Sequence, residues 1–80
     1  MAMSPAEAFG QALREARLKR GLSQEEAAAL GGIDRSYYGH LERASKTPTI
    51  NMIWRVAEAV DANPSQLVRR TERILADSGS

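Results

Sequence analysis

The stretch from Ser23 to Arg43, SQEEAAALGGIDRSYYGHLER, restricts the fold of this chain more than any other segment. Ser23 and Glu26 have the spacing of a capping box, in which each side chain accepts a hydrogen bond from the backbone N–H of the other at a helix start. Gly31-Gly32 is expected to end this helix, because glycine readily adopts the left-handed conformation that turns the chain. Asp34 then supplies the N-cap of a second helix.

The segment therefore predicts two short helices joined by a tight turn. Ile33 follows the two glycines and is apolar, so it can fill the corner beneath the turn. Ala28 is small at the point where the two helices must approach closely. This is the layout of a helix-turn-helix, a motif whose second helix enters the major groove of DNA.

Three further helices are predicted around this motif. The first begins at Ser4-Pro5-Ala6-Glu7, which combines an N-cap, a proline and a glutamate, and ends at Gly21. The fourth is capped by Thr49, and the fifth runs from Pro64 to about Ala76. Apolar residues recur at helical spacing along the fourth helix and are expected in the core: Ile50, Ile53, Val56, Ala57 and Val60.

Length and composition favour one all-α domain of five helices. We expect residues 1–80 to form a single helix-turn-helix domain with an ordered core at about 5–76 and the motif at 23–43. The chain lacks cysteine and has a single histidine, so no metal site and no cofactor are expected. An enzyme is the least favoured class, because the sequence shows no phosphate loop and no clustered carboxylates. Without a membrane-length apolar run or a signal peptide pattern, we expect a cytoplasmic protein.

From Phe9 to Leu67 the sequence resembles the Cro and phage-repressor type of helix-turn-helix regulators, the xenobiotic-response-element (XRE) family. The resemblance is carried by FGQALREAR, GLSQEEAA, GGIDRSYY, HLER and TPTI, in that order. It implies a lambda-repressor-like DNA-binding fold in which the third helix reads DNA. Three residues depart from the family pattern: Tyr38 replaces the usual isoleucine or valine, Ala27 the usual leucine, and Ala44 the customary glycine.

The third helix offers four candidate contacts to DNA bases. Arg35 lies in its first turn, where the two-pronged guanidinium can reach O6 and N7 of guanine. Ser36 can bond either a base or a phosphate. Gly39 costs about 1 kcal/mol inside a helix relative to alanine, which leaves two explanations open: close approach to the groove, or packing or drift. His40 lies on the outward arc, where DNA contact is favoured over an inert surface role.

Cationic and amide side chains around the motif are candidate contacts to DNA phosphates. Gln24 begins the second helix, where free backbone N–H groups favour an anion, although it can also extend the capping network. In the family this glutamine also steadies the third helix. The candidate phosphate contacts are Gln24, Arg43, Lys46, Arg14 and Arg20. The resemblance places Arg17 and Glu42 apart from these, as a largely buried ion pair that joins the first helix to the third.

A homodimer is expected through the fourth and fifth helices. Trp54 either completes the core or is exposed at a partner surface, since tryptophan is favoured in interface hot spots. The fifth helix carries more apolar length than a monomer of 80 residues obviously needs. The predicted dimer interface contains Trp54, Leu67, Ile74 and Leu75.

The leading hypothesis is a bacterial or phage homodimeric transcriptional repressor or controller that binds a palindromic operator in double-stranded DNA. Its expected location is the cytoplasm, in association with the nucleoid. The alternative is a protein-interaction module of the same fold, antitoxin-like or an adaptor, in which DNA binding is secondary or lost. A net charge of +1 and Trp54 favour the alternative, whereas the cations grouped around the third helix oppose it. Neither hypothesis requires a small-molecule ligand.

Overall fold

The computed structural model describes residues 3–79, which form five α-helices and no strand within that range. The bounds are α1 (Pro5–Lys19), α2 (Gln24–Gly31), α3 (Arg35–Arg43), α4 (Ile50–Ala59) and α5 (Pro64–Ser78). The predicted five-helix, all-α fold is therefore confirmed. Helix α5 continues past the predicted end at Ala76. Met3, expected outside the ordered core, packs against Ala8, Ala12 and Ile74, while Met1, Ala2 and Ser80 lie outside the described residues.

Capping side chains begin the helices where the sequence predicted. The Ser23 hydroxyl accepts from the Glu26 backbone N–H at 3.0 Å, and the Glu26 carboxylate accepts from the Ser23 N–H at 2.8 Å. Asp34 caps α3 by accepting from the Tyr37 N–H at 3.1 Å, and Thr49 caps α4 in the same way. The start of α3, on which the proposed reading of bases depends, is thus set by a local signal in the sequence.

Two glycines help to place α3, one through its backbone conformation and the other by allowing a close approach between helices. Gly32 ends α2 with a φ of 63°, a left-handed conformation that suits glycine. Gly10 lies where α1 crosses the last turn of α3, and a Cβ on it would lie 2.5 Å from the backbone oxygen of Glu42. Because that neighbour is backbone and cannot rotate away, a side chain at residue 10 would push α3 off α1.

All five helices contribute residues to the core. Its largest fully buried side chains are Tyr38, Leu13, Leu41 and Val56. Tyr38 shares this core with Ala27, so a large aromatic ring and a small alanine occupy two of the three positions at which the chain departs from the pattern of the family that it resembles. The prediction that Ile50 lies in the core is wrong: its side chain is 63% exposed, because residue 50 opens α4 on the outer face.

Two of the four predicted dimer residues are buried inside the monomer. Leu67 is 2% exposed in the main core, and Ile74 is 8% exposed against Ala8 and Ala12 of α1. Helix α5 packs along α1, which covers this apolar side, so the prediction that Leu67 and Ile74 face a partner is wrong. Leu75 is half-buried beside Ile74. Trp54 is 59% exposed, which excludes the alternative that it completes the core.

Candidate nucleic-acid interface

Arg35 and Ser36 are exposed side chains in the first turn of α3. The opposite side of the helix is buried through Tyr38 and Leu41, which are 0% and 1% exposed. The burial of one side fixes which arc of α3 faces solvent, and the two residues predicted to contact bases lie on the open arc. This arrangement suits a recognition helix, whose N-terminal residues meet base edges in the major groove.

A buried polar network anchors the other end of α3. Arg17 donates from Nε to Oε2 of Glu42 at 2.6 Å and from Nη2 to Oε1 at 3.0 Å, so the two side chains meet in a bidentate pair. Their side chains are only 9% and 2% exposed. Arg17 also donates to the carbonyl of Leu22 at 2.9 Å. The ion pair inferred from the family resemblance is present and joins α1 to α3.

Gln24 belongs to the same network: the family resemblance implied that it steadies α3, but the sequence did not identify Glu42 as its partner. Its Nε2 donates to Oε1 of Glu42 at 3.0 Å, which ties the start of α2 to the end of α3. The two residues are separated by 18 positions, and no local spacing rule connects them. Gln24 thus has a structural role within the monomer.

The protonation states of the network follow from its contacts. Burial raises the pKa of the Glu42 carboxyl, but the hydrogen bonds from Arg17 and Gln24, together with the nearby Tyr38 hydroxyl, outweigh it, and the pKa lies below its ordinary value. The hydrogen bond to Glu42 raises the pKa of the Arg17 guanidinium despite its burial. Both groups are therefore charged at neutral pH, which is the state that holds α1, α2 and α3 together.

Gly39 lies beneath the side chain of Arg43 on α3. A Cβ at residue 39 would be 2.9 Å from Nη1 of Arg43 and 3.5 Å from its Cζ, so the guanidinium lies directly over the glycine. Gly39 is buried, while Arg43 itself is exposed. The absence of a side chain at residue 39 therefore makes room for Arg43 on the surface of α3. Close approach of Gly39 to a groove would require Arg43 to move aside.

His40 is engaged in the loop that ends α3. Its Nδ1 is 2.7 Å from the hydroxyl of Ser45, and the Ser45 backbone N–H donates to the His40 carbonyl at 3.0 Å. Ala44 adopts the left-handed conformation between them, with a φ of 61°. That conformation costs an alanine roughly 1–2 kcal/mol, a cost that the customary glycine avoids. His40 is half-buried and helps to close this loop, which leads directly to Lys46.

The comparison with known families places these features in context. The family model described as "Helix-turn-helix" matches residues 13–67, from the core of α1 to the start of α5. The chain belongs to this helix-turn-helix family. A transcriptional regulator of the same type from Sinorhizobium fredii, y4dJ, is 37% identical over 59 residues, which cover 71% of this chain and 77% of that protein.

Two solved structures resemble the chain over most of its length. The restriction-modification controller protein C.AhdI from Aeromonas hydrophila is 45% identical, with a TM-score of 0.75 over 78% of this chain and 94% of that one. The clp gene regulator ClgR from Corynebacterium glutamicum has a TM-score of 0.91 over 99% of this chain and 84% of that one, at 24% identity. The chain is thus a helix-turn-helix transcriptional regulator of the XRE type and not an enzyme.

The candidate phosphate contacts of this helix-turn-helix regulator differ in whether their side chains already bind another part of the chain. Arg14 and Lys46 are exposed. Arg20 donates from Nη1 to the carbonyl of Ala59, so its guanidinium lies against the C-terminal end of α4. Because it satisfies a carbonyl at that helix end, Arg20 has a structural role that its position in the sequence did not indicate.

Across residues 3–79, no helix is long and apolar enough to span a membrane.

Proposed function

We propose that this chain is a sequence-specific DNA-binding regulator that reads the major groove with α3. The observation that carries the proposal is the exposure of Arg35 and Ser36 on a helix whose other side is locked to α1 and α2 through Glu42. A guanidinium held on a fixed helix can form the bidentate contact to guanine that gives sequence preference. Such a regulator acts at the nucleoid, in the cytoplasm.

Contacts to phosphates supply the affinity that is independent of sequence. Arg43 and Lys46 lie at and just beyond the end of α3, and Arg14 is exposed on α1. Gln24 lies at the N-terminus of α2, where unpaired N–H groups also attract phosphates. A net charge of +1 leaves binding to depend on this local grouping of cations.

We expect weak association with random duplex DNA at low salt and a steep loss of affinity as salt rises. Each phosphate neutralised by a lysine or arginine contributes about −0.9 to the slope of log affinity against log salt concentration, so the three cationic contacts per subunit give a slope of about −2.7. Fluorescence anisotropy of a labelled duplex, measured from low to high salt, provides the test. No binding at the lowest salt would reject the proposal and favour a protein-interaction module of the same fold.

We further propose a homodimer on a palindromic operator, formed through α4. Ile50 and Trp54 are 63% and 59% exposed and lie four residues apart, so they share one face of the helix. Two large exposed apolar side chains on one face indicate an interaction surface. A two-fold dimer would place its recognition helices about 34 Å apart, or at a multiple of that distance. The similarity to a restriction-modification controller supports a repressor or controller role.

The dimer is expected to weaken strongly when Trp54 is replaced by alanine. Truncation of a hot-spot tryptophan costs about 2 kcal/mol or more, which corresponds to at least about 30-fold in the dissociation constant. Sedimentation velocity over a concentration series measures this constant. Leu18→Ala is the matched control, because Leu18 is an equally exposed apolar residue on α1. Equal association by the two variants and the unmodified chain would show that α4 is not the interface.

The same exposed face is the observation that favours the alternative function. If Ile50 and Trp54 bound a different protein, the chain would remain monomeric and the salt titration would show no DNA binding. The two measurements therefore separate a dimeric DNA-binding regulator from an antitoxin-like or adaptor module.

A further inference from the structure

The hydroxyl of Tyr38 has no hydrogen-bond partner of acceptable geometry, although the side chain is completely buried. Among residues 3–79 it is the one buried side-chain polar atom in this condition. A buried hydroxyl without a partner destabilises the folded state. Since the family usually has isoleucine or valine at this position, the extra hydroxyl calls for an explanation in terms of its surroundings.

The nearest polar groups are those of the buried network around Glu42. Tyr38 and Glu42 are four residues apart on α3, so their side chains lie on the same side of the helix. Burial raises the pKa of the Tyr38 hydroxyl, and the Glu42 carboxylate raises it further, which indicates that the two groups are neighbours. The guanidinium of Arg17 has no acceptor to offer, so Glu42 is the acceptor within reach.

The carboxylate of Glu42 retains room for one more donor. Its Oε1 accepts from both Arg17 and Gln24, whereas Oε2 accepts from Arg17 alone. Each carboxylate oxygen has two lone-pair sites, so a site on Oε2 remains open.

We propose that Tyr38 is a positioning residue whose hydroxyl donates to Oε2 of Glu42 and fixes the rotation of α3 about its own axis. The ring of Tyr38 packs in the core with Ala27 of α2, while Glu42, four residues further along the same side of α3, pairs with Arg17 of α1. One side chain thus connects the apolar core with the buried polar network, the two sets of contacts that hold α3. The rotation of α3 decides where Arg35 points, so this proposal rests on the proposed function in DNA reading.

The hydrogen bond is tested by Tyr38→Phe, which keeps the ring and removes the hydroxyl. Carboxyl carbon NMR on the full chain measures the pKa of Glu42 directly. Loss of a donor to the carboxylate is expected to raise that pKa in the variant. Tyr37→Phe is the matched control, because it makes the same chemical change one residue away at a half-exposed position and should leave the Glu42 titration unchanged. A Glu42 pKa that is the same in Tyr38→Phe and the unmodified chain would overturn the proposal.

The positioning role is tested by comparing two DNA affinities of Tyr38→Phe. We expect binding to a sequence selected from a random duplex pool to weaken by roughly 2- to 30-fold, the usual range for residues that act through a network. Binding to non-selected duplex should not change, because phosphate contacts tolerate a small rotation of α3. Equal losses for the two duplexes, or no loss for either, would refute positioning. If the unmodified chain binds no duplex at low salt, the proposed function fails, and the Glu42 titration still reports on the hydrogen bond.

Discussion

Glu42→Ala is expected to lower the free energy of unfolding by about 3–5 kcal/mol, because it leaves the charge of Arg17 buried without a partner. The truncation also removes the acceptor for the Gln24 amide. A shift of about 4–8 °C per kcal/mol for a domain of this size predicts a fall in Tm of at least about 12 °C. Thermal unfolding followed by circular dichroism measures the change. A melting temperature within a few degrees of the unmodified chain would contradict the structural role of the pair.

Glu15→Ala is the matched control for this prediction. Glu15 accepts from Arg70 at 2.8 Å in an ion pair between α1 and α5, and the two side chains are 43% and 47% exposed. Solvent screens an exposed pair, so its loss should cost only about 0–1 kcal/mol. The same change from glutamate to alanine is thus expected to have very different effects at a buried and at an exposed ion pair.

The pH dependence of stability gives a second measurement on the same residue. The pKa of Glu42 is below its ordinary value of 4.5 in the folded chain. A depressed carboxyl pKa means that the stabilisation by this group is present above its unfolded pKa and is lost as pH falls through the folded pKa. The difference in stability between the unmodified chain and Glu42→Ala should therefore be largest near neutral pH and narrow in acid below about pH 4.5.

The sequence predicted the features of this fold that depend on local signals. The capping residues Ser23, Asp34 and Thr49 act on backbone groups three residues away, so their spacing alone places the helix starts. Gly32 acts on its own backbone and ends α2 as expected. Helix α3, bounded by Arg35 and Arg43, could therefore be placed from sequence alone.

The sequence could not show which apolar residues are covered by a distant helix. Leu67 and Ile74 were predicted at a dimer interface, yet α5 packs along α1, more than 50 residues earlier in the chain, and buries them. The periodicity of α5 identifies an apolar face but not what packs on it. The contact of Gln24 with Glu42 and that of Arg20 with Ala59 escaped prediction for the same reason, since both join separate helices.

The candidate site shows the same division between local and long-range information. Family resemblance located Arg35, Ser36 and the pair of Arg17 with Glu42, and the structure places them at the two ends of α3. The family resemblance did not show that the side chain of Arg43 covers Gly39, because this depends on the path of a long side chain along its own helix. The residues that hold α3 were therefore easier to predict than the shape of the surface that it presents.

Arg35→Ala is expected to weaken binding to the selected operator by about 5- to 150-fold, which corresponds to the loss of about 1–3 kcal/mol from a bidentate contact to guanine. The loss should be confined to sequences that carry the recognised base, so the preference at one position in each half-site should disappear. Selection from a random duplex pool, repeated with the variant, measures both effects at once.

Arg14→Ala provides the contrast that decides between base and phosphate contact at Arg35. Arg14 is an exposed arginine on α1 and a proposed phosphate contact, so its removal should weaken binding uniformly and reduce the salt slope by about 1 per subunit. If Arg35→Ala behaves in this uniform way, Arg35 contacts a phosphate and another residue of α3 reads the base. If it instead erases one base preference while the salt slope stays constant, α3 enters the groove with its first turn facing the bases, an orientation that agrees with the burial of Tyr38 and Leu41 on the opposite side.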